Sequence, residues 1–388
     1  MATFLSRRLH GLAQSDIRRM SRECESLGGI NLAQGNCDLP VPPLVRDPAV
    51  AAINGQKNWY TFPEGIKPLR EAIASKVQRH NGLTVDPISE VVITVGATGA
   101  FACAVQGLLN PGDGVIVMEP YYGYHLNILL TVGLEPHYLP LAPPRFELRE
   151  EEIRKALRPN TRAVIVCTPS NPSGKMFTRE ELQAVARVAH EHDLLVITDE
   201  IYEYIRYDGR PHISPASVDG LWERSVTIMG LSKTFSVTGW RLGYAVAPEP
   251  MARAMTLIND LYYVCAPTPL QHGVVEGVQA PEEFFDGLQS LYQRKRDMIC
   301  EALADSGLSP IVPEGAYYVL TDISQLGFAT AQEAAMELLR SSRVAAVPGT
   351  AFYRGSQGEG ILRFCFAKED AVIEEACKRL RSFRPVAA

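Results

Sequence analysis

The stretch "TIMGLSKTFSVTGWRLGYAVAP", residues 227–248, places Lys233 and Arg241 between two apolar runs that read as buried strands. A cation in an apolar neighbourhood is costly unless it is paired or chemically converted. Working outward, short apolar runs alternate with helical patterns. "VVITVG" (91–96) opens into the helical "ATGAFACAVQGLLN", and "GVIVMEP", "RAVIVCTP" (162–169) and "LLVITDE" (194–200) follow. "SVTIMG" and "RLGYAVAP" complete the series. "FTREELQAVARVAHEHD" starts like a helix with a capping box, Thr178 with Glu181 three residues on. Strands alternating with helices predict an α/β fold built on a mostly parallel, helix-covered sheet. Ligands on such sheets sit at the loops after the strand ends.

The chain has 388 residues, too many for most single cores. From about residue 280 the pattern changes: a long amphipathic helix, "DGLQSLYQRKRDMICEALADSG", precedes "AYYVLTDI", "RVAAVPG" and "GILRFCFA". This predicts a second, smaller α/β layer. "GGINLAQGNCDLPVPPLV", rich in Gly and Pro, reads as extended. With 46% apolar and 21% charged residues the composition is that of a globular protein, and a net charge of -6 argues against nucleic acid. The eight cysteines are scattered without CxxC spacing or clustered histidines, which predicts free thiols in a reducing cytoplasm and no metal site. The N-terminal "MATFLSRRLHGLAQSDIRRM" lacks an uninterrupted apolar core and does not read as a leader, and no run is long enough to span a bilayer.

Several polar residues fall just after the expected strands. "GATGA" (96–100) sits where a strand turns into a helix, where small residues let backbone N–H groups meet an anion. A tight strand–helix turn explains it equally well. The missing third glycine argues against a dinucleotide. In "CTPSNPSG" (167–174) two prolines hold Asn171 in a rigid loop, although a turn asparagine bonding its own backbone is common. "ITDEIY" (197–202) ends an apolar strand on Asp199, with Tyr202 three residues later. Such an aspartate needs a partner or caps a helix. Together, Lys233, Arg241, Asp199, Asn171, Tyr202 and a small-residue anion loop make the set that pyridoxal phosphate requires. It needs a lysine for a Schiff base, an acid for the pyridine nitrogen and a phosphate cradle.

At this point the chain resembles the class I/II aminotransferases, the fold-type I pyridoxal-phosphate enzymes, over nearly its whole length. Seven motifs in order carry the resemblance: "YTFPEGIKPLREAIA", "GATGA", "EPYYGY", "SNPSG", "TDEIY", "SKTFSVTGWRLG" and "LRFCFA". The "TGWRLG" form is similar to that of the subgroup with kynurenine, glutamine, aspartate and aromatic aminotransferases. The resemblance implies that Lys233 forms the Schiff base and moves the Cα proton. Asp199 would pair with the pyridine nitrogen, and Tyr202 and Asn171 would hydrogen-bond the phenolic oxygen. Tyr122 would stack on the ring. Gly96, Ala97, Thr98, Ser232 and Arg241 would surround the phosphate, with Tyr60 reaching it from a neighbouring subunit of a homodimer. Arg363 would grip the substrate α-carboxylate, with Asn171 beside it, and Gly35 would lie in the segment that closes over the substrate. The implied division is an N-terminal segment (1–50) serving the small domain and closure, a large cofactor-binding domain (51–279) and a small domain (280–388).

Three positions depart from the family pattern. Gly230 stands where a phosphate-binding serine often sits, so Ser232 is the remaining candidate. Cys37 replaces a proline and Tyr353 a glycine, both expected near the substrate side chain. They read either as packing changes or as a narrowed pocket. Tyr122, Tyr124, His125, Tyr262, Tyr263 and Tyr353 read either as the lining of an aromatic-tolerant pocket or, for most of them, as core or cofactor contacts. Transfer of an amino group from an L-amino acid to a 2-oxo acid is the leading expectation. Elimination, cyclisation or oxidation on the same cofactor is the alternative, and a non-catalytic regulator is the alternative from another class.

Overall fold

The computed structural model describes residues 4, 6, 8, 12, 16–218 and 220–384. Most of the N-terminal stretch read as no leader lies outside the described residues. Helix α1 (Asp16–Ser26) leads to β1 (Ile30–Asn31), then α2 (Pro43–Asn54) and α3 (Lys67–Asn81). The alternating region runs β2 (Val91–Val95), α4 (Gly96–Leu108), β3 (Gly114–Glu119), α5 (Gly123–Thr131) and β4 (Glu135–Pro140). It continues α6 (Glu150–Ala156), β5 (Thr161–Cys167), α7 (Arg179–Glu191), β6 (Leu195–Asp199), β7 (Ser225–Gly230) and β8 (Leu242–Val246). Helices α8 (Glu249–Tyr263), α9 (Thr268–Val278) and α10 (Glu282–Asp305) precede β9 (Ser309–Ile311) and β10 (Tyr318–Asp322). The chain ends with α11 (Ala331–Ser342), β11 (Val344–Ala345), β12 (Val347–Pro348), β13 (Ile361–Cys365) and α12 (Asp370–Ser382).

Seven strands form the main sheet in the order β2-β8-β7-β6-β5-β3-β4. Only β8 runs against its neighbours. The continuous apolar runs are explained by burial on both faces: β3 and β7 are buried along their whole length. Strand β4, which the apolar runs did not announce, is one of the two edge strands, at the opposite side from β2. Its burial alternates with its sequence "EPHYLP", so it never forms a run. Helix α7 begins with the expected capping box, Thr178 and Glu181 each bonding the other's backbone. It buries Leu182, Val185 and Val188, one stripe of a 3.6-residue period.

The later strands form a four-stranded sheet, β12-β13-β10-β9, and β1 pairs with β11. Because β1 completes that pair, the N-terminal residues join the last third of the chain. Met20, Cys24 and Leu32 share one buried cluster with Leu339, Val344 and Phe364. "GGINLAQGNCDLPVPPLV" contains β1 and is otherwise irregular until Pro43, where α2 starts. Among the described residues no helix is long and apolar enough to cross a membrane.

Candidate active site

The parallel strands of the main sheet all end on one edge, and β8, running the other way, starts there. Asp199 is the last residue of β6, and Lys233 follows β7 by three residues. Gly96 opens α4 directly after β2, and Arg241 immediately precedes β8. A cavity of about 490 Å³ lies at this edge. Ala97, Thr98, Tyr122, Asn171, Asp199 and Tyr202 line it, together with Lys233 and Arg241. From the other layer, Gly35 and Arg363 complete the wall.

Burial sets the chemistry of these groups. Lys233 Nζ lies 3.3 Å from the carbonyl oxygen of Gly35 and forms no ion pair among the described residues. Burial pulls its pKa down to about 8, so a reactive free amine is available near neutral pH. Asp199 is nearly buried, and its Oδ2 meets His125 Nε2 at 2.9 Å. Tyr202 donates its hydroxyl hydrogen to Tyr318 Oη at 3.1 Å, and burial raises its pKa. Arg363, fully buried, lies over the Tyr318 and Phe352 rings. Its Nη1 donates to Asn171 Oδ1 (3.0 Å) and its Nη2 to the Ala33 carbonyl (2.7 Å). Its Nε has no hydrogen-bond partner among the described residues.

One corner of the cavity calls for an anion. Helix α4 presents its N-terminal backbone there, with Gly96 at φ 72°. The Arg241 guanidinium lies against it: a Cβ on Gly96 would stand 2.5 Å from Arg241 Nη2. Arg241 itself donates to the Thr238 carbonyl at 3.0 Å. A helix N-terminus and a guanidinium repel unless a negative group sits between them, and no carboxylate among the described residues pairs with Arg241. A phosphate meets that need, and Asp199 and Lys233 on the same wall match the nitrogen and the aldehyde of pyridoxal phosphate. The residues present therefore fit the cofactor.

Not every expected residue is in the wall. Ser232 is buried beside Lys233 without lining the cavity, and Tyr60 is 82% exposed and away from it. Cys37 and Tyr353, read either as packing changes or as a narrowed pocket, fit the packing reading. Neither lines the cavity. Cys37 is turned inward, its Sγ 3.1 Å from both Ser236 Oγ and Tyr292 Oη, and Tyr353 is buried with its hydroxyl unpartnered among the described residues. Tyr262 and Tyr263 lie outside the wall as well, while Tyr124 and His125 belong to it. Tyr318, Ile17 and Arg18 line the cavity without having been singled out. No local motif marks them, because only the packing of α1 and β10 against the sheet edge brings them there.

The comparisons with known proteins agree with this geometry. The family model described as "Aminotransferase class I and II" matches residues 28–380. The aromatic-amino-acid aminotransferase 2 of Thermococcus litoralis is 33% identical over 384 residues, 97% of each chain. Human kynurenine–oxoglutarate transaminase 1 is 30% identical over 413 aligned residues, covering 98% of each. The solved N-succinyldiaminopimelate aminotransferase of Mycobacterium tuberculosis superposes with a TM-score of 0.94 at 34% identity, covering 98% of this chain and 99% of that one.

Proposed function

The chain belongs to the class I and II aminotransferases, pyridoxal-phosphate enzymes that move an amino group from an amino acid to a 2-oxo acid, and on that premise we propose which residues do what. Ala97 and Thr98 amides, Gly96 and Arg241 would hold the phosphate, with Ser232 supporting the loop. Asp199, oriented by His125, would hold the proton on the pyridine nitrogen. Asn171 would donate to the phenolic oxygen through Nδ2, since Arg363 occupies its Oδ1, and Tyr202 would do so by turning its hydroxyl hydrogen away from Tyr318. Tyr122 would stack on the ring, and Lys233 would anchor the aldehyde carbon through Nζ. Bound in this way, the cofactor supplies an electron-withdrawing ring for the electron pair left when the Cα proton departs.

Arg363 would orient the substrate by a two-point grip on its α-carboxylate, which a lysine cannot reproduce. That grip sets which Cα bond stands across the ring, and so favours proton loss over loss of carbon dioxide. Lys233 Nζ, once free, would take the Cα proton and return it one position away. The carbonyl of Gly35, in contact with Lys233, belongs to the segment that would close over the substrate. The functional division would be an N-terminal segment to residue 50, a cofactor-holding domain (51–279) and a small domain (280–388).

A homodimer would complete the site. Trp59, Tyr60, Phe62, Leu261 and Tyr262 form an exposed apolar set. Patches of this kind on a soluble chain mark an interface. The ring of Tyr263 stands 3.8 Å from where a Cβ on Gly99 would lie, so this face reaches the first turn of α4. Tyr60 of the partner subunit would then meet the phosphate. All eight cysteines are free, which supports a cytoplasmic setting.

The single observation that carries the assignment is Lys233, a half-buried amine without an ion-pair partner among the described residues, facing Asp199, Arg241 and Arg363 across one cavity. The test is a half-reaction screen. The yellow holoenzyme is mixed with single amino acids, absorbance is followed, and the product is identified by mass spectrometry. A 2-oxo acid, with the cofactor left as its amine, is expected. Ammonia or a cyclised product, with the aldehyde form retained, would reassign the chain to elimination or cyclisation.

A further inference from the structure

A second cavity, of about 310 Å³, lies where α10 begins, and none of the residues lining it belongs to the active-site wall. Its size suits a small molecule. Two cations and two carboxylates line it: Arg79 near the end of α3 and Arg206 after β6, with Glu282 and Asp286 in the first two turns of α10. None of the four forms an ion pair among the described residues. The Arg79 side chain reaches only the Ser75 hydroxyl, and that of Arg206 only the Arg210 carbonyl, at 2.7 Å. Lys76, also on the wall, is already paired with Glu203. Opposite charges therefore share one space without pairing across it.

Charges of both signs converge on Tyr204. This wall residue is only 9% exposed, and its ring is stacked against His80 and Phe285, with centroids 4.2 and 4.0 Å away. Its hydroxyl makes no hydrogen bond among the described residues. Burial raises its pKa most and Glu203 adds to that, while the charges of Arg79, Glu282 and Arg206 all act on the same phenol. A nearly buried hydroxyl in this state gains a hydrogen bond from a molecule that enters. A simple anion would meet Glu282 and Asp286, and a simple amine would meet Arg79 and Arg206. A ligand that carries both charges is attracted by both pairs. Phe285 and Pro281 offer apolar surface for a side chain.

We propose that this cavity is a second site, for a free amino acid bound as a zwitterion, its carboxylate on Arg79 and Arg206 and its ammonium on Glu282 and Asp286. Filling it would tie α10 to α3. The test uses holoenzyme reduced with borohydride, which stops the reaction, dialysed to equilibrium against single radiolabelled amino acids. At least one is expected to bind with a Kd of about 1 mM or tighter. That binding should survive Arg363→Lys, which weakens the active site. Arg79→Gln and Asp286→Asn should each weaken it at least about tenfold, with half-reaction rates unchanged. Both side chains are exposed, so neither change disturbs the core. The deaminated acid and the decarboxylated amine of the same ligand should each bind at least about tenfold more weakly. No amino acid bound in Arg363→Lys, binding indifferent to Arg79→Gln and Asp286→Asn, or an acid that binds as well as its amino acid overturns the proposal. The site stands apart from the transaminase reading: a holoenzyme that yields no 2-oxo acid overturns that reading and leaves this one to the dialysis.

Discussion

Arg363 Nη1 donates a hydrogen bond to Asn171 Oδ1 at 3.0 Å, joining the group assigned to the substrate carboxylate to one assigned to the cofactor oxygen. The guanidinium is fixed further by the Ala33 carbonyl and by two aromatic faces, with ring centroids at 4.3 and 4.7 Å. A lysine keeps the charge and loses the plane, the fork and the stacking. Arg363→Lys is expected to lower kcat/KM for amino acids by roughly a hundredfold, mostly through KM, on the scale of a lost buried ionic contact. The visible spectrum of the holoenzyme should stay unchanged. A kcat/KM within a few-fold of the parent would remove Arg363 from substrate binding.

Lys233 and Gly35 meet across 198 positions of sequence. Burial holds Lys233 near pKa 8 in the folded chain, against 10.5 in its absence. Between those values the unfolded chain keeps a proton that the folded chain has lost, so stability without cofactor rises with pH across that window. Below pH 8 the burial cost is felt in full. Cofactor-free Lys233→Met should therefore be more stable than the cofactor-free parent at pH 7, by roughly 1–3 kcal/mol. The advantage should shrink towards pH 10.5. Denaturant titrations at pH 7 and 10 check this, and an advantage equal at both would refute it. The same variant should bind cofactor without a borohydride-reducible link to the chain and should not transaminate.

Gly243 allows β8 to pass under the start of α4. A Cβ there would stand 2.4 Å from the Ala97 nitrogen and 2.5 Å from the Gly96 carbonyl carbon, both backbone atoms. Gly243→Ala must push the first turn of α4 away from Arg241. Cofactor affinity is expected to fall at least about tenfold, with a stability loss of about 1–3 kcal/mol from overpacking. Gly99 lies in the same helix with its nearest atom at 3.5 Å, so Gly99→Ala should be neutral or stabilising by about 0.5–1 kcal/mol. Fluorescence titration with pyridoxal phosphate and thermal melts compare the two. Equal affinities would separate the strand contact from the phosphate cradle.

A buried charge cluster outside the cavity sets the acid limit of stability. Lys76 is bonded to Glu203 and Asn81, and His80 stacks on Tyr204 with its Nε2 3.8 Å from Glu203. Burial pulls His80 down to about 4 from 6.5. Between those values the unfolded chain binds the proton that the folded chain refuses, so stability is lost as pH falls through that window. Glu203, despite its burial, is held low by the Lys76 ammonium, and its contribution is lost in the same direction below about 4.5. His80→Phe keeps the stacking surface and should flatten the fall between pH 6.5 and 4 by roughly 2 kcal/mol. An unchanged acid limb would clear His80 of that role.

The order of strands and helices was legible because it rests on local chemistry. Continuous apolar runs mark strands buried on both faces, and Thr178 with Glu181 marks a helix start. Strand β4 escaped because its residues "EPHYLP" alternate between buried and more exposed positions and never form an apolar run. Ala97, Thr98, Asn171, Asp199, Tyr202, Lys233 and Arg241 follow from motifs at strand ends, whereas Gly35, Tyr122 and Arg363 followed only from the family resemblance. Whether Cys37 and Tyr353 serve packing or the pocket was not legible locally: Cys37 turns inward although Asn36 beside it lines the cavity, and Tyr353 is buried outside it.

By itself, the chain's order of residues determined its sheet, its family and a lysine–aspartate–arginine set at one sheet edge, since each depends on periodicity or turn residues within a few positions. Only the tertiary structure decided that α1 and β13 meet at that edge, that Gly35 touches Lys233, and that Arg18 and Arg363 share one cavity. Those approaches join residues hundreds of positions apart. They are fixed by how β1 pairs with β11 and β12 with β13, a long-range register that no short stretch of sequence contains.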